Sequence, residues 1–217
     1  MENFIVSARK YRPATFESVV GQGSLTTTLK NAIKNKQLAH AYLFCGPRGT
    51  GKTSIARILA KALNCEKGPT ANPCQACHMC ESITKGTNFD VIEIDAASNR
   101  GIDSIRELRE RVKLSPIQAR YKVYIIDEVH MLTGEAFNAL LKTIEEPPSH
   151  TVFIMATTEA HKLPQTIISR CQRFDFRKLT VSELIKRLEG IVKKEGINIE
   201  REAIELIALN SEGSARD

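Results

Sequence analysis

Gly46-Pro47-Arg48-Gly49-Thr50-Gly51-Lys52-Thr53 decides the fold. It fits G-x-x-x-x-G-K-[ST]. It also follows the apolar run Ala41 to Cys45 and precedes an apolar helical pattern from Thr53 to Leu63, the strand–loop–helix context a phosphate loop requires. The glycines let successive backbone N–H groups turn inward on an anion, and the helix adds its positive N-terminal end. Candidate phosphate contacts are therefore Gly46, Arg48, Gly49, Thr50, Gly51, Lys52, Thr53 and Ser54. Lys52 is expected to reach the β and γ phosphates of ATP or ADP, and Thr53 to ligate magnesium.

Downstream, Val123-Tyr124-Ile125-Ile126-Asp127-Glu128 is an apolar run ending in two carboxylates, the Walker B pattern. Asp127 is expected to hold magnesium through its water shell and Glu128 to polarise the attacking water as a general base. Two acids at a strand end carry little alone; after a phosphate loop they complete a hydrolytic pair. Val91 to Asp95 and Thr151 to Ala156, rich in Val and Ile, read with the two runs above as buried parallel strands. Helical stripes lie between them: Ile102, Ile105, Leu108 and Val112, then Phe137, Leu140, Leu141 and Ile144. This alternation predicts an α/β domain over residues 1–179, a parallel sheet sandwiched by helices. Near Lys178 to Thr180 the strand signals stop. Val181, Leu184, Ile185 and Leu188, then Ala203, Ile204, Leu206 and Ile207, predict the start of a small helical lid over residues 180–217. Two helices are too few to enclose a core, so a chain cut from a longer protein is expected.

Apolar residues form 42% of the chain and charged ones 26%, which excludes a disordered chain. Thirty-one Lys and Arg against 25 Asp and Glu give +6, which favours an anionic partner without identifying nucleic acid. Met1 to Lys10 lacks the apolar run of a signal peptide, and no stretch approaches the roughly 20 apolar residues of a membrane span. A cytoplasmic protein without a membrane partner is expected. Four of the six cysteines, Cys65, Cys74, Cys77 and Cys80, crowd an insertion over residues 65–80 that also carries Gly68, Pro69 and Pro73. In a reducing compartment such clustering points to a metal before disulfides. C-x₈-C-x₂-C-x₂-C suits a closed, structural, tetrahedral zinc site, with an iron–sulfur cluster as the chemical rival. His78 is expected to face solvent. A DNA-binding finger needs a basic recognition helix, whereas Glu81-Ser82-Ile83-Thr84-Lys85 offers one lysine and one acid, so a structural or protein-contact knob is expected.

Arg9-Lys10-Tyr11-Arg12-Pro13, Phe16, Val19-Val20-Gly21-Gln22 and His40-Ala41-Tyr42-Leu43-Phe44 resemble the opening of bacterial clamp-loader motor subunits, the gamma/tau family of DNA polymerase III. Asp127-Glu128-Val129-His130, Leu141-Lys142-Thr143-Ile144-Glu145-Glu146-Pro147-Pro148 and Ser169-Arg170-Cys171 extend the likeness over essentially the whole chain. The resemblance implies an AAA+ ATPase within the DNA-directed DNA polymerase III holoenzyme that loads a sliding clamp onto primer-template DNA beside delta, delta-prime and further gamma/tau copies. It places adenine against Ala8, Tyr11, Arg12, Pro13 and Val20, with Gln22 closing that motif. It makes Thr158 sensor 1, with Thr157 as the neighbouring choice, Arg170 an arginine finger entering the next subunit's site, and Arg216, in Gly213-Ser214-Ala215-Arg216-Asp217, the lid sensor. It also favours zinc over iron–sulfur. The implied catalytic set is Lys52, Asp127, Glu128, Thr158 and Arg170. Delta-prime subunits share Ser-Arg-Cys but commonly lack a working phosphate loop; intact Lys52 and Thr53 favour the active subunit. Without the resemblance, Arg170 reads as a surface arginine at a helix end. Two other readings stand beside this one: a binding module that uses nucleotide only as structural glue, and another AAA+ machine such as a branch-migration helicase or replication initiator, which lacks the four-cysteine insertion.

Overall fold

A computed structural model describes residues 6–216. Met1 to Ile5 and Asp217, which the expected domain bounds and lid-sensor motif include, lie outside the described residues. The apolar runs form strands β1 (Ala41–Cys45), β2 (Val91–Asp95), β3 (Lys122–Asp127) and β4 (Thr151–Thr157), and a fifth, β5 (Gln172–Asp175), follows. The helices are α1 (Ser7–Lys10), α2 (Gly23–Lys34), α3 (Lys52–Asn64), α4 (His78–Lys85), α5 (Ile102–Val112), α6 (Gly134–Glu145), α7 (Gln165–Ile168), α8 (Val181–Glu195) and α9 (Arg201–Asn210).

The sheet order is β2-β3-β4-β1-β5, and every pairing is parallel. After β1 the chain crosses to the β2 edge, returns through β3 and β4 to the side of β1, and then passes to β5 beyond it. The carboxyl ends of β1, β3 and β4 thus meet where the winding reverses, the place where an open α/β sheet forms its ligand crevice. Side chains alternate between the two faces. Tyr42, Phe44, Val123, Ile125 and Ile154 pack against Leu25, Leu29 and Ile33 of α2 and Ile55, Ile58 and Leu59 of α3. Leu43, Cys45, Tyr124, Ile126, Phe153 and Met155 pack against α5 and α6 on the other face.

Two expectations need correction. β2 is an edge strand flanked only by β3, and Glu93 and Asp95 make it a partly exposed rather than a buried strand. In the last helix, α9, Leu206 and Ile207 are exposed, at 61% and 45%, so of the second C-terminal stripe only Ile204 is buried. Leu184, Ala208 and Leu179 form the small cluster between α8 and α9, and Val20, Ile185 and Leu188 pack against it. α8 opens with a capping box between Thr180 and Glu183 and stops at Gly196, whose φ of 65° few other residues adopt without strain.

Asp90 precedes β2 and is 1% exposed, and its carboxylate accepts the backbone N–H groups of Ile117, Gln118 and Ala119 at 2.7–2.9 Å. Burial pushes its pKa up, but the three N–H donors outweigh that and hold it below the ordinary carboxylate range. A lowered native pKa contributes stability that is present above the unfolded-state value and is lost as pH falls through the native one. Asp90→Asn should therefore cost about 1–3 kcal/mol at neutral pH. In denaturant titrations the gap from the parent should begin to close as pH falls to the ordinary aspartate value and vanish below the lower native one. A gap that stays constant on acidification would assign the effect to shape instead of charge.

Candidate nucleotide site and cysteine cluster

The phosphate loop bends at Gly46, Gly49 and Gly51, with φ of 147°, 74° and 99°. Two of these glycines also admit close neighbours. A Cβ on Gly46 would lie 2.4 Å from the Phe176 carbonyl oxygen, and one on Gly49 would lie 1.8 Å from Ser214 Oγ. The loop is thus wedged between the chain leaving β5 and the segment after α9. Gly51 stands at the N-cap of α3 and offers no side-chain oxygen, so the first N–H groups of the helix remain available to an anion. Lys52 is buried and donates from Nζ to the carbonyls of Gly46 and Pro47 at 2.7 and 2.8 Å. Burial pushes its pKa below the ordinary lysine value, against the pull of Glu128 and Asp127. Arg48 is exposed within the loop, and Ser54 is half-buried in the first turn of α3.

The parallel register sets the rest. Cys45 lies opposite Thr157, and Ile126 opposite Met155, so the residues that follow β1, β3 and β4 meet. Thr53 Oγ1 donates to Asp127 Oδ2 at 2.7 Å. The hydroxyl and carboxylate are hard oxygen donors on one spot beside the loop, a set that suits magnesium. Asp127 Oδ1 accepts the Glu128 N–H at 3.0 Å. Glu128 adopts the left-handed conformation, φ 47° and ψ 45°. Its Oε2 accepts the Thr158 hydroxyl at 2.9 Å and the Thr158 N–H at 3.3 Å. Of the two neighbouring threonines, Thr158 contacts Glu128, whereas Thr157 is buried and accepts the Glu159 N–H at 3.0 Å. Sequence reasoning missed His130 and Glu159, which complete this cluster: His130 Nε2 lies 3.0 Å from Glu159 Oε2. A histidine two residues after an acidic pair was the available signal.

The adenine candidates divide. Tyr11 and Val20 line a cavity of about 370 Å³ with Gly190 and Ile191 of α8, while Ala8, Arg12 and Pro13 do not line it, nor do the phosphate-loop residues. Tyr11 donates to Glu195 Oε1 at 2.6 Å, and Arg187 donates to the Tyr11 carbonyl, which ties the end of α1 to α8. Gln22 is buried, donating its amide to the Arg177 carbonyl at 2.8 Å and accepting the Arg177 N–H at 3.4 Å. Arg216 is carried to the loop by backbone pairing, the Ala215 N–H donating to Gly49 O at 3.0 Å.

Arg170 is not with the other candidates. β5 begins where Gln172 registers with Tyr42, near the start of β1, so Arg170 stands at the amino end of the sheet, opposite its own phosphate loop. It donates to the Thr166 carbonyl at 2.9 Å and pairs with Glu145 at 2.8 Å, and remains 39% exposed.

The four sulfurs of Cys65, Cys74, Cys77 and Cys80 lie within 4.8 Å of one another. Metal–sulfur bonds of about 2.3 Å in a tetrahedron need sulfurs about 3.8 Å apart, so the set fits one ion. Backbone N–H groups point at the sulfurs: Cys77 donates to Cys74 Sγ at 3.3 Å and Cys80 to Cys77 Sγ at 3.4 Å. N–H bonds from Ala76 and Cys77 bring the Cys74 thiol down to about 6, while burial pushes Cys80 up. His78 is exposed on α4, as expected. Lys61, buried on α3, clamps the insertion by donating to Gln75 Oε1 and the Ala14 carbonyl.

The fold and this site define a phosphate-loop nucleotide-binding domain of the AAA+ type with a four-cysteine insertion. The same fold occurs in the Thermotoga maritima RuvB Holliday junction branch migration motor, with a TM-score of 0.68 at 24% identity over 95% of this chain and 62% of that one. A family model described as "DNA polymerase III, delta subunit" matches residues 21–180, and the chain belongs to that family. Similarity to tau and gamma subunits spans nearly the whole chain. It is 57% identical to DNA polymerase III subunit tau of Bacillus subtilis over 96% of this chain and 37% of that protein. It is 51% identical to subunit tau of Escherichia coli over 99% of this chain and 33% of that one. Subunit gamma of Buchnera aphidicola is 46% identical over 99% of this chain and 60% of its own. The chain thus spans about a third of the tau subunits it matches.

The wedge at Gly49 generates a two-part prediction. Gly49→Ala meets both the left-handed backbone, worth about 1–2 kcal/mol, and Ser214. It should lower the melting temperature and release the segment around Ser214 from the loop. Adding Ser214→Gly should restore the part due to collision and leave the backbone part. Full recovery in the double variant, measured by thermal unfolding, would show that backbone conformation contributes nothing.

Proposed function

We propose that this chain is an ATP-hydrolysing motor unit of a DNA polymerase III clamp loader, acting in the cytoplasm on a sliding clamp and primer-template DNA beside delta, delta-prime and further copies of its own kind. One observation carries the reading: Thr53, Asp127, Glu128 and Thr158 meet at one end of the sheet, whereas Arg170 stands at the other. The names of the tau and gamma relatives support the clamp-loader assignment, and intact Lys52 and Thr53 support an active subunit within a family whose model is named for delta.

ATP binding begins with the N–H groups at the start of α3, and Lys52 exchanges the carbonyls of Gly46 and Pro47 for phosphate oxygens. Thr53 and Asp127 would hold magnesium, which when bound neutralises charge on the β and γ phosphates. Glu128 Oε2 is engaged by Thr158, while Oε1 accepts no hydrogen bond among the described residues and is the atom offered to the attacking water. Arg170 serves the phosphates of the next subunit, because strands rise about 3.3 Å per residue and the length of β1 separates it from its own loop. Arg216 couples nucleotide to the lid through the Gly49–Ala215 pairing. ATP favours the clamp-opening arrangement only to the extent that it binds that arrangement more tightly. DNA contact by this chain is with phosphates, weak and salt-sensitive. Four sulfur ligands leave no open position, so the metal is structural zinc rather than a catalytic ion.

Glu128→Gln should keep ATP affinity and lose turnover by roughly 100-fold or more in the assembled complex. Arg170→Ala should leave the variant's own ATP affinity unchanged while complex turnover falls; fingers supplied in trans are worth about 10³–10⁵ in GTPases. Mixed with a Lys52→Ala chain, Arg170→Ala should restore turnover only at interfaces that pair the surviving Lys52 with the surviving Arg170. Hydrolysis by isolated monomers at the rate of the complex would return Arg170 to a surface ion pair with Glu145.

The insertion gives a separate test. Protein purified without chelator should contain about one zinc per chain, and Cys77→Ser should lose it and loosen residues 65–80 while the sheet remains folded. Elemental analysis that finds iron, or no stoichiometric metal, would overturn the assignment.

A further inference from the structure

The ring of His130 is only 5% exposed and carries a polar partner at each nitrogen. Nε2 lies 3.0 Å from Glu159 Oε2, so that nitrogen carries a proton and donates. Nδ1 lies 3.0 Å from Thr157 Oγ1, which accepts the Glu159 N–H at 3.0 Å. A carboxylate oxygen faces each ring nitrogen, so each donates: the Glu159 N–H and His130 Nδ1–H both donate to the Thr157 oxygen, and His130 Nε2–H donates to the Glu159 carboxylate, which closes a ring. Lys162 anchors that carboxylate from outside at 2.7 Å. The same Nδ1 faces Glu128 Oε2 at 3.4 Å, on the oxygen that Thr158 already engages.

Glu128 requires such support. A glutamate at φ 47° is in a strained left-handed backbone and holds it only where its surroundings fix it. Thr158 supplies two hydrogen bonds from β4's end, and the His130 ring closes the remaining side. Together they hold Oε2 and turn Oε1 outward.

We propose that His130, clamped by Glu159 and Thr157, is a positioning residue that fixes the Glu128 carboxylate for its work on water. This inference rests on the reading of Glu128 as general base. His130 touches neither nucleotide nor water in this role; it acts through Glu128, and Glu159 acts through His130.

The test is steady-state ATPase and nucleotide binding in the assembled loader. His130→Ala should lower kcat about 10-fold or more with ATP affinity within about 2-fold of the parent. Glu159→Gln, which keeps the shape and weakens the clamp, should lower kcat in the same direction by less. In a Glu128→Gln background His130→Ala should lower kcat no further, because the group it positions is gone. If His130→Ala does not fold, His130→Gln, which retains a donor toward Glu159 without the ring's second nitrogen, takes its place in the same cycle. An undiminished kcat, an equal fall in ATP affinity, or a full additional loss in the Glu128→Gln background would overturn the proposal. A Glu128→Gln variant with parental turnover would instead overturn the base assignment itself, which separates the two failures.

Discussion

The site depends on parallel register. Lengthening β1 by one residue against β4 would carry the phosphate loop past Thr157 and turn every β1 side chain to the opposite face, because the strand repeat is two. Tyr42 and Phe44 would then leave the α2–α3 layer for the α5–α6 layer, where Leu43 and Cys45 now fit. The core therefore fixes the register, and the register fixes the Thr53–Asp127 and Glu128–Thr158 hydrogen bonds. Packing energy far from the phosphates sets distances of a few ångströms beside them.

What was legible in the sequence follows the same physics. Buried central strands must be apolar on both faces, so β1, β3 and β4 stood out within a residue of their ends. β5 did not, because Gln172-Arg173-Phe174-Asp175 lies at an edge and buries only Phe174. α2 escaped notice although Leu25, Leu29 and Ile33 recur at a spacing of four; polar threonines between them hid the stripe. The phosphate loop, the acidic pair and the cysteines were readable because their chemistry demands particular residues at short spacing. Glu159 was not, since it acts on His130, a partner that only the fold defines, and Gln22, though named by the resemblance, showed no sign of its partner Arg177. His130 is the intermediate case: its residue type was visible, its ring of three hydrogen bonds was not.

Glycines let the segments flanking α8 and α9 pack onto the phosphate loop. Gly49 and Gly46 leave space that Ser214 and Phe176 fill, and Gly213 in turn leaves room for Lys178 and Leu179. These contacts join the phosphate loop, the β5 exit and the end of α9 into one backbone-to-backbone junction, extended by the Leu179–Gly213 hydrogen bond at 3.0 Å. Side chains at flexible tips adjust to a ligand without moving their helices; a backbone wedge transmits displacement directly. A displacement of residues 46–51 would therefore reach α8 and α9 through the backbone, and their own buried cluster is small.

The polarity of the sheet supplies the last step. In a parallel sheet every strand carries its loop-borne chemistry to one end, so a residue that returns to the amino end, as Arg170 does before β5, is removed from its own site by the length of a strand. Its Glu145 partner comes from the end of α6, just before β4 begins, which confirms the location by a second path through the chain. An arginine held there by one surface ion pair and one carbonyl is inexpensive to redirect, since exposed pairs are worth about 0–1 kcal/mol. The geometry thus separates Arg170 from its own phosphate loop and leaves it exposed, held only by contacts that little energy would break.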